Sequence, residues 1–158
     1  MSDRNDSMFN RRDVLAGLAG FSAMALASRV QAEDAHKHDA APPAPLSAAH
    51  KAVIASTADC LRTGRVCLAR CTDHLASGVP MMEHCQRAVM NMLAVVAAMA
   101  DVAGYANAKP ANLELLANAC AAFCRSCAEA CEPHAAHHEE CQACMDACIT
   151  CAKACDAI

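Results

Sequence analysis

Tryptophan is absent from this sequence, and aromatic residues make up only 3% of its 158 positions. Beyond residue 45 only Tyr105 and Phe123 remain. With no aromatic platform, no basic stripe and a formal net charge of −4, the chain lacks the means to read nucleic acid. Glycine, proline and β-branched residues are scarce between 46 and 158, where Ala and other aliphatic residues dominate. That balance disfavours strands and turn-rich β architectures and points to helix. The longest apolar run lies near the N-terminus and is short for a membrane span. No nucleophile–base pair or phosphate-binding loop is evident, so the chain does not read as an enzyme. A helical core of ordinary size would use more large side chains than this one offers. What the chain has instead is thirteen Cys and eight His.

The N-terminus is polar up to Asn10-Arg11-Arg12-Asp13, then apolar from Val14 to about Ala27, and ends in Val30-Gln31-Ala32 before Glu33. This is the order of a secretory leader with a small-residue cleavage site. Adjacent arginines ahead of a modest apolar stretch resemble a twin-arginine signal. The expectation is a leader over 1–32, export to the periplasm, and no membrane association after cleavage. All thirteen Cys and eight His lie beyond it. A passenger exported folded can bury or metallate its thiols before reaching an oxidising compartment.

Residues 33–46 are polar and Pro-rich and read as a flexible tether. The domain proper is expected over 47–158. Its first helix should run from about Ser47 to Leu75 and break at Ala76-Ser77-Gly78-Val79-Pro80. The second should cover Met81 to Ala103, with Gly104 as its stop. Pro110 suits the first turn of the third, which should end at Glu132 before Pro133. After a turn over His134–His138, the fourth should cover Glu139 to Ala157. Four helices with short connections imply an all-α, up-down-up-down four-helix bundle with a Cys-lined core.

The cysteines follow helical spacing. Cys141, Cys144, Cys148, Cys151 and Cys155 stand at steps of three and four, the stripe a bundle helix turns inward. Cys120, Cys124, Cys127 and Cys131 repeat the pattern on the third helix. Cys60, Cys67 and Cys71 do so on the first, with Gly64 in the gap and His74 continuing the stripe. The second helix carries Cys85, with Met82 three residues before it and Val89, Met92, Val96 and Met99 after it.

A disulfide framework would suit an exported chain. However, the cysteine count is odd, and thiols one turn apart are roughly 5–6 Å apart at Cβ, against the 3.5–4.5 Å a disulfide needs. Free thiols serving only as small hydrophobes would leave the bundle axis underfilled. A metal-filled core fits better. Two thiolates joined by one ion, with bonds near the roughly 2.3 Å of zinc–thiolate, lie at most about 4.6 Å apart.

Charge selects the ion. Zinc held by four thiolates leaves about −2 at each site, and uncompensated buried charge is costly. A monovalent soft ion at roughly one per thiolate leaves the core near neutral, and Cu(I) is the ion that thiolate and thioether select. Iron–sulfur clusters draw their Cys from irregular backbone, whereas these lie within continuous helical periodicity. The stripe from Cys141 to Cys155 spans roughly 21 Å at helical rise, a row of sites suited to storage. A zinc or general soft-metal buffer is the rival in the same class. A thiol oxidoreductase would need its Cys-x-x-Cys at a helix start after a strand, and no strand is evident.

In an up-down bundle His74, Met81, Met82, His84, His134, His137 and His138 gather at one end. His74 and Met82 continue thiol stripes and are expected as ligands where metal enters. His134, His137 and His138 are expected to be solvated in their turn, and Met92 and Met99 to be core filler.

With Cys60-x6-Cys67-x3-Cys71-x13-Cys85 and two Cys-rich C-terminal helices, residues 47–157 resemble the exported branch of the copper storage proteins. The resemblance implies a four-helix bundle assembled as a homotetramer, with Cu(I) along its interior and His and Met near its mouth. It further implies Cys60, Cys67, Cys71, Cys85, Cys124, Cys127, Cys131, Cys141, Cys144, Cys148, Cys151 and Cys155 as ligands. Cys120 is an addition to that pattern, Val96 stands where a related bundle has a second Cys in its second helix, and His74 stands where Met is expected.

Overall fold

The computed structural model describes residues 45–105 and 107–158. The expected leader, and the expected tether up to residue 44, lie outside the described residues. The helices are α1 (Ala48–Ala76), α2 (Glu83–Tyr105), α3 (Pro110–Ala135) and α4 (Glu139–Cys155), and a single 3₁₀ turn, Pro80–Met82, leads into α2. Each helix packs on its two neighbours in the ring, α1 closing onto α4, and the backbones of the diagonal pairs α1/α3 and α2/α4 stay apart, their side chains meeting only on the axis. Short connections between neighbours of this kind give the antiparallel, four-sided bundle expected from the sequence.

The start and stop of α1 have local causes. Ser47 caps its N-terminus, its hydroxyl accepting from the His50 N–H at 3.1 Å. At the other end Gly78 adopts φ +80, the Val79 N–H donates to the His74 carbonyl and the Gly78 N–H to that of Leu75, both at 3.0 Å. This paired closure around a left-handed residue is a Schellman stop, and it makes the break where the sequence expected one.

Several boundaries differ from the sequence reading, and α2 itself begins at Glu83, after the 3₁₀ turn, not at Met81. Gly104 does not stop α2, which continues through Tyr105; among the described residues Gly78 is the glycine with positive φ. Pro133 does not end α3, which runs on to Ala135. A proline removes one helical N–H, and this close to the C-terminus only the bond to the Glu129 carbonyl is lost, on an exposed residue. His134 is therefore helical and not part of the turn. Finally, α4 ends at Cys155, two residues before the expected Ala157.

The stretch Pro80–Tyr105 is long and apolar enough to cross a membrane by length and composition alone. Its inward stripe of Cys85, Val89, Met92, Val96, Met99 and Ala103 is buried between α1 and α3. The core is a column of side chains down the bundle axis. Thiols fill most of it, and Val53, Thr57, Met99, Ala103, Leu113 and Ala117 fill the end near the chain's first described residues. The largest fully buried side chains are Met82, Met92 and Met99.

Candidate metal centre

All thirteen cysteines are free and buried, twelve of them at 0% exposure and Cys155 at 3%. The helical stripes read from the sequence therefore converge on one axis. Their closest approaches run between helices. Cys60 and Cys148 sulfurs are 3.6 Å apart, Cys67 and Cys141 3.8 Å, Cys71 and Cys85 3.6 Å, Cys85 and Cys131 3.6 Å, and Cys127 and Cys144 3.9 Å.

Five sets of three sulfurs lie mutually within 4.8 Å: Cys60/Cys124/Cys148, Cys67/Cys85/Cys141, Cys67/Cys131/Cys144, Cys120/Cys151/Cys155 and Cys127/Cys144/Cys148. Cys67, Cys144 and Cys148 each belong to two sets, so four of the sets chain together, and Cys120/Cys151/Cys155 joins this ladder through the hydrogen bonds of Cys151 with Cys60 and Cys124. Three bonds of roughly 2.3 Å at 120° would hold sulfurs about 4.0 Å apart, and two in line about 4.6 Å. The first lies within a few tenths of an ångström of the closest separations already present, and the second within the 4.8 Å that bounds each set. The sequence reading placed neighbouring ligands along single helices; the structure adds that all five sets draw on two or three.

The surroundings matter as much as the sulfurs. The buried polar residues among those described are Ser56, Thr57, Thr63 and His134, so no buried Lys or Arg balances thirteen ionisable thiols. The thiols also divide by proton affinity. Hydrogen bonds from Cys120, Cys124, Cys155 and Cys60 hold Cys151 below the ordinary thiol range. That from Cys127 is the first cause lowering Cys131 to about 6. Cys148 is pushed up, first by its hydrogen bond with Cys124, and Cys85 is pushed up to about 12, first by Cys131 and then by Cys141. Some thiols thus hold protons while neighbours give them up readily, and the thiolate is the form that binds metal.

At one end of the ladder each helix continues its stripe with a different donor. His74 follows Cys71 by three, Met82 precedes Cys85 by three, His134 follows Cys131 by three and His138 precedes Cys141 by three. Met82 is fully buried, as expected of an inward residue. The His74 and His138 rings meet edge to face with centroids 4.8 Å apart. His74 Nε2 and His138 Nδ1 are buried without a hydrogen-bond partner. Desolvation, and then the adjacent His74 and Arg70, hold His138 below the ordinary imidazole range, which keeps its ring neutral and its lone pair free. His134 is buried at 8% exposure.

The expectation that His134 is solvated is thus corrected, and His138 is half-buried with its Nδ1 out of reach of solvent. Both fall at three-residue steps from a stripe cysteine, a signal present in the sequence but obscured by reading Pro133 as a helix end. His137, Met81 and His84 are exposed.

A family model described as copper storage protein matches residues 46–158. Among solved structures, the copper storage protein Ccsp from Streptomyces lividans, loaded with 10 copper equivalents, is 28% identical with a TM-score of 0.65, over 73% of this chain and 90% of that one. A cytosolic copper storage protein from Streptomyces lividans, described with five coppers, is 28% identical with a TM-score of 0.63, over 69% and 90%. Apo copper storage protein 3 from Bacillus subtilis is 27% identical with a TM-score of 0.56, over 68% and 95%. No curated protein sequence matches the chain.

Proposed function

The chain belongs to the copper storage protein family, and from that premise we propose that it stores many Cu(I) ions along the bundle axis, at roughly one ion per cysteine. It is a store and not an enzyme. The observation that carries this reading is a column of thirteen buried thiols with no buried Lys or Arg among the described residues. A soft monovalent ion supplies the missing positive charge one for one, whereas zinc would leave the ladder anionic.

The ligands in this reading are Cys60, Cys67, Cys71, Cys85, Cys120, Cys124, Cys127, Cys131, Cys141, Cys144, Cys148, Cys151 and Cys155. His74 and Met82, joined by His134 and His138, receive ions at the mouth. Imidazole and thioether are neutral and exchange more readily than a thiolate set, so they suit capture and relay toward Cys60, Cys120 and Cys155.

Export belongs to the same proposal. The twin-arginine-like leader over 1–32 supports a periplasmic location, with 33–46 as the tether and 47–158 as the storage domain. Assembly as a homotetramer is supported by the family resemblance and by the outward face of α2, where Met90, Ala94 and Ala98 are exposed.

Anaerobic titration of reduced 33–158 with Cu(I), against a competing chelator, tests the storage reading. Binding near one ion per cysteine is expected, and saturation at one to four ions would overturn it. Preferential uptake of zinc at about one ion per four thiols would identify a soft-metal buffer. Rapid dithiol cycling with a partner would identify an oxidoreductase.

A further inference from the structure

The ladder has one side poorer in thiols than the rest. α1, α3 and α4 each bring several sulfurs to the axis, but α2 brings only Cys85. At the level of Cys60, Cys124 and Cys148 the three thiols come from α1, α3 and α4. Seven residues past Cys85, α2 places Met92 there. Met92 is fully buried, and the Cys60 thiol donates to its Sδ at 3.4 Å. That is shorter than any of the hydrogen-bonded thiol–thiol separations in the ladder.

The facing helix is shaped for this side chain. Gly64 occupies the gap in the α1 stripe between Cys60 and Cys67. A Cβ there would stand 2.7 Å from Met92 Cε and 3.0 Å from Leu93 Cδ2. The missing side chain on α1 thus leaves the volume into which the Met92 methyl group fits while its sulfur sits beside Cys60. Met99, also fully buried on the same stripe, makes no sulfur–sulfur hydrogen bond. Packing alone explains Met99, but it does not explain a thioether seated against a thiol that belongs to a three-sulfur set.

We propose that Met92 is a thioether ligand to the Cu(I) ion held by Cys60, Cys124 and Cys148, supplying the donor of α2 at that level. The proposal rests on the storage reading above. A thioether is a soft, neutral donor that Cu(I) accepts and zinc disfavours. It needs no deprotonation, so it completes a four-sided site with one donor per helix and adds no negative charge. It departs from the sequence expectation that Met92 is core filler.

The test uses selenomethionine-labelled 33–158 carrying Met82→Leu, which removes the mouth thioether from the signal. The protein is loaded anaerobically with Cu(I) and examined by X-ray absorption at the copper and selenium edges. A direct Cu–Se contribution is expected; it should vanish on adding Met92→Leu and persist on adding Met99→Leu. Leucine nearly matches methionine in volume, and circular dichroism of each apo variant establishes that it folds. A loaded Met82→Leu protein without a Cu–Se contribution, or one that keeps it after Met92→Leu, overturns the assignment while leaving storage intact. Failure of unsubstituted 33–158 to take up many ions overturns the storage reading, and this inference with it.

Discussion

The two ends of the bundle are built from the same four helices and finish their core stripes differently. At the α1–α2 and α3–α4 turns the stripes end in Met82, His74, His134 and His138, all metal-binding side chains. At the opposite end the stripes of α1, α2 and α3 run past their last thiol into Val53, Thr57, Met99, Ala103, Leu113 and Ala117, while that of α4 ends in Cys155. There the Thr57 hydroxyl is consumed locally, donating to the Val53 carbonyl at 2.8 Å, and the His50 ring binds the Ala103 carbonyl at 2.9 Å. The mouth keeps unpartnered buried nitrogens on His74 and His138, while the far end has its polar groups satisfied and its axis plugged. A cation column built this way has one side for exchange and one side for stability, and substitutions at the two ends should separate capacity, stability and rate.

The largest effect comes from making the ligand half resemble the plugged half. Replacing Cys141, Cys144, Cys148, Cys151 and Cys155 together with Ala removes five of the thirteen thiols and a member of every three-sulfur set. Cu(I) capacity by anaerobic titration should fall to about eight ions or fewer. Capacity unchanged by this substitution would mean the stripe is packing.

Met99→Ala at the plugged end should do the reverse. A fully buried methionine cut to alanine costs about 2–5 kcal/mol, visible as a lower denaturation midpoint of the apo protein, while ion capacity stays the same. A loss of capacity would extend the storage column into the plug.

Smaller still is the contrast in rate. His74→Ala with His138→Ala should slow Cu(I) uptake several-fold in stopped-flow mixing without changing the final number of ions. Thr57→Val at the far end should leave the rate unchanged. Equal slowing at both ends would show that the column is open at each.

The smallest effect expected is at Gly64. Overpacking by the new Cβ against Met92 and Leu93 costs about 1–3 kcal/mol, and alanine's better helix propensity returns about 1 kcal/mol. A modest net loss of thermal stability should result, together with a weaker Cu–Se contribution from Met92.

The stripes could be read from the sequence because a helix projects residues at steps of three and four onto one face, and cysteine marks that face without ambiguity. The stop of α1 could be read because a Schellman closure needs a residue like Gly78. Other features depend on three-dimensional register. Nothing along the chain states that Cys67 meets Cys85 and Cys141, since that pairing arises from how far each helix slides against the next. Pro133 and Gly104 misled for a shared reason: both are strong breakers in a helix interior and tolerable in its last turn, where few hydrogen bonds remain to lose. Reading Pro133 as a stop hid His134, whose three-residue step from Cys131 would otherwise have placed it on the α3 stripe.

The central claim is that protons on a buried thiol ladder are exchanged for Cu(I) about one for one. Native mass spectrometry of reduced 33–158, titrated anaerobically to saturation, counts ions and lost protons in the same spectrum. The account predicts about thirteen Cu(I) per chain, each accompanied by the loss of about one proton. Saturation at a handful of ions, or uptake without proton loss, would contradict it.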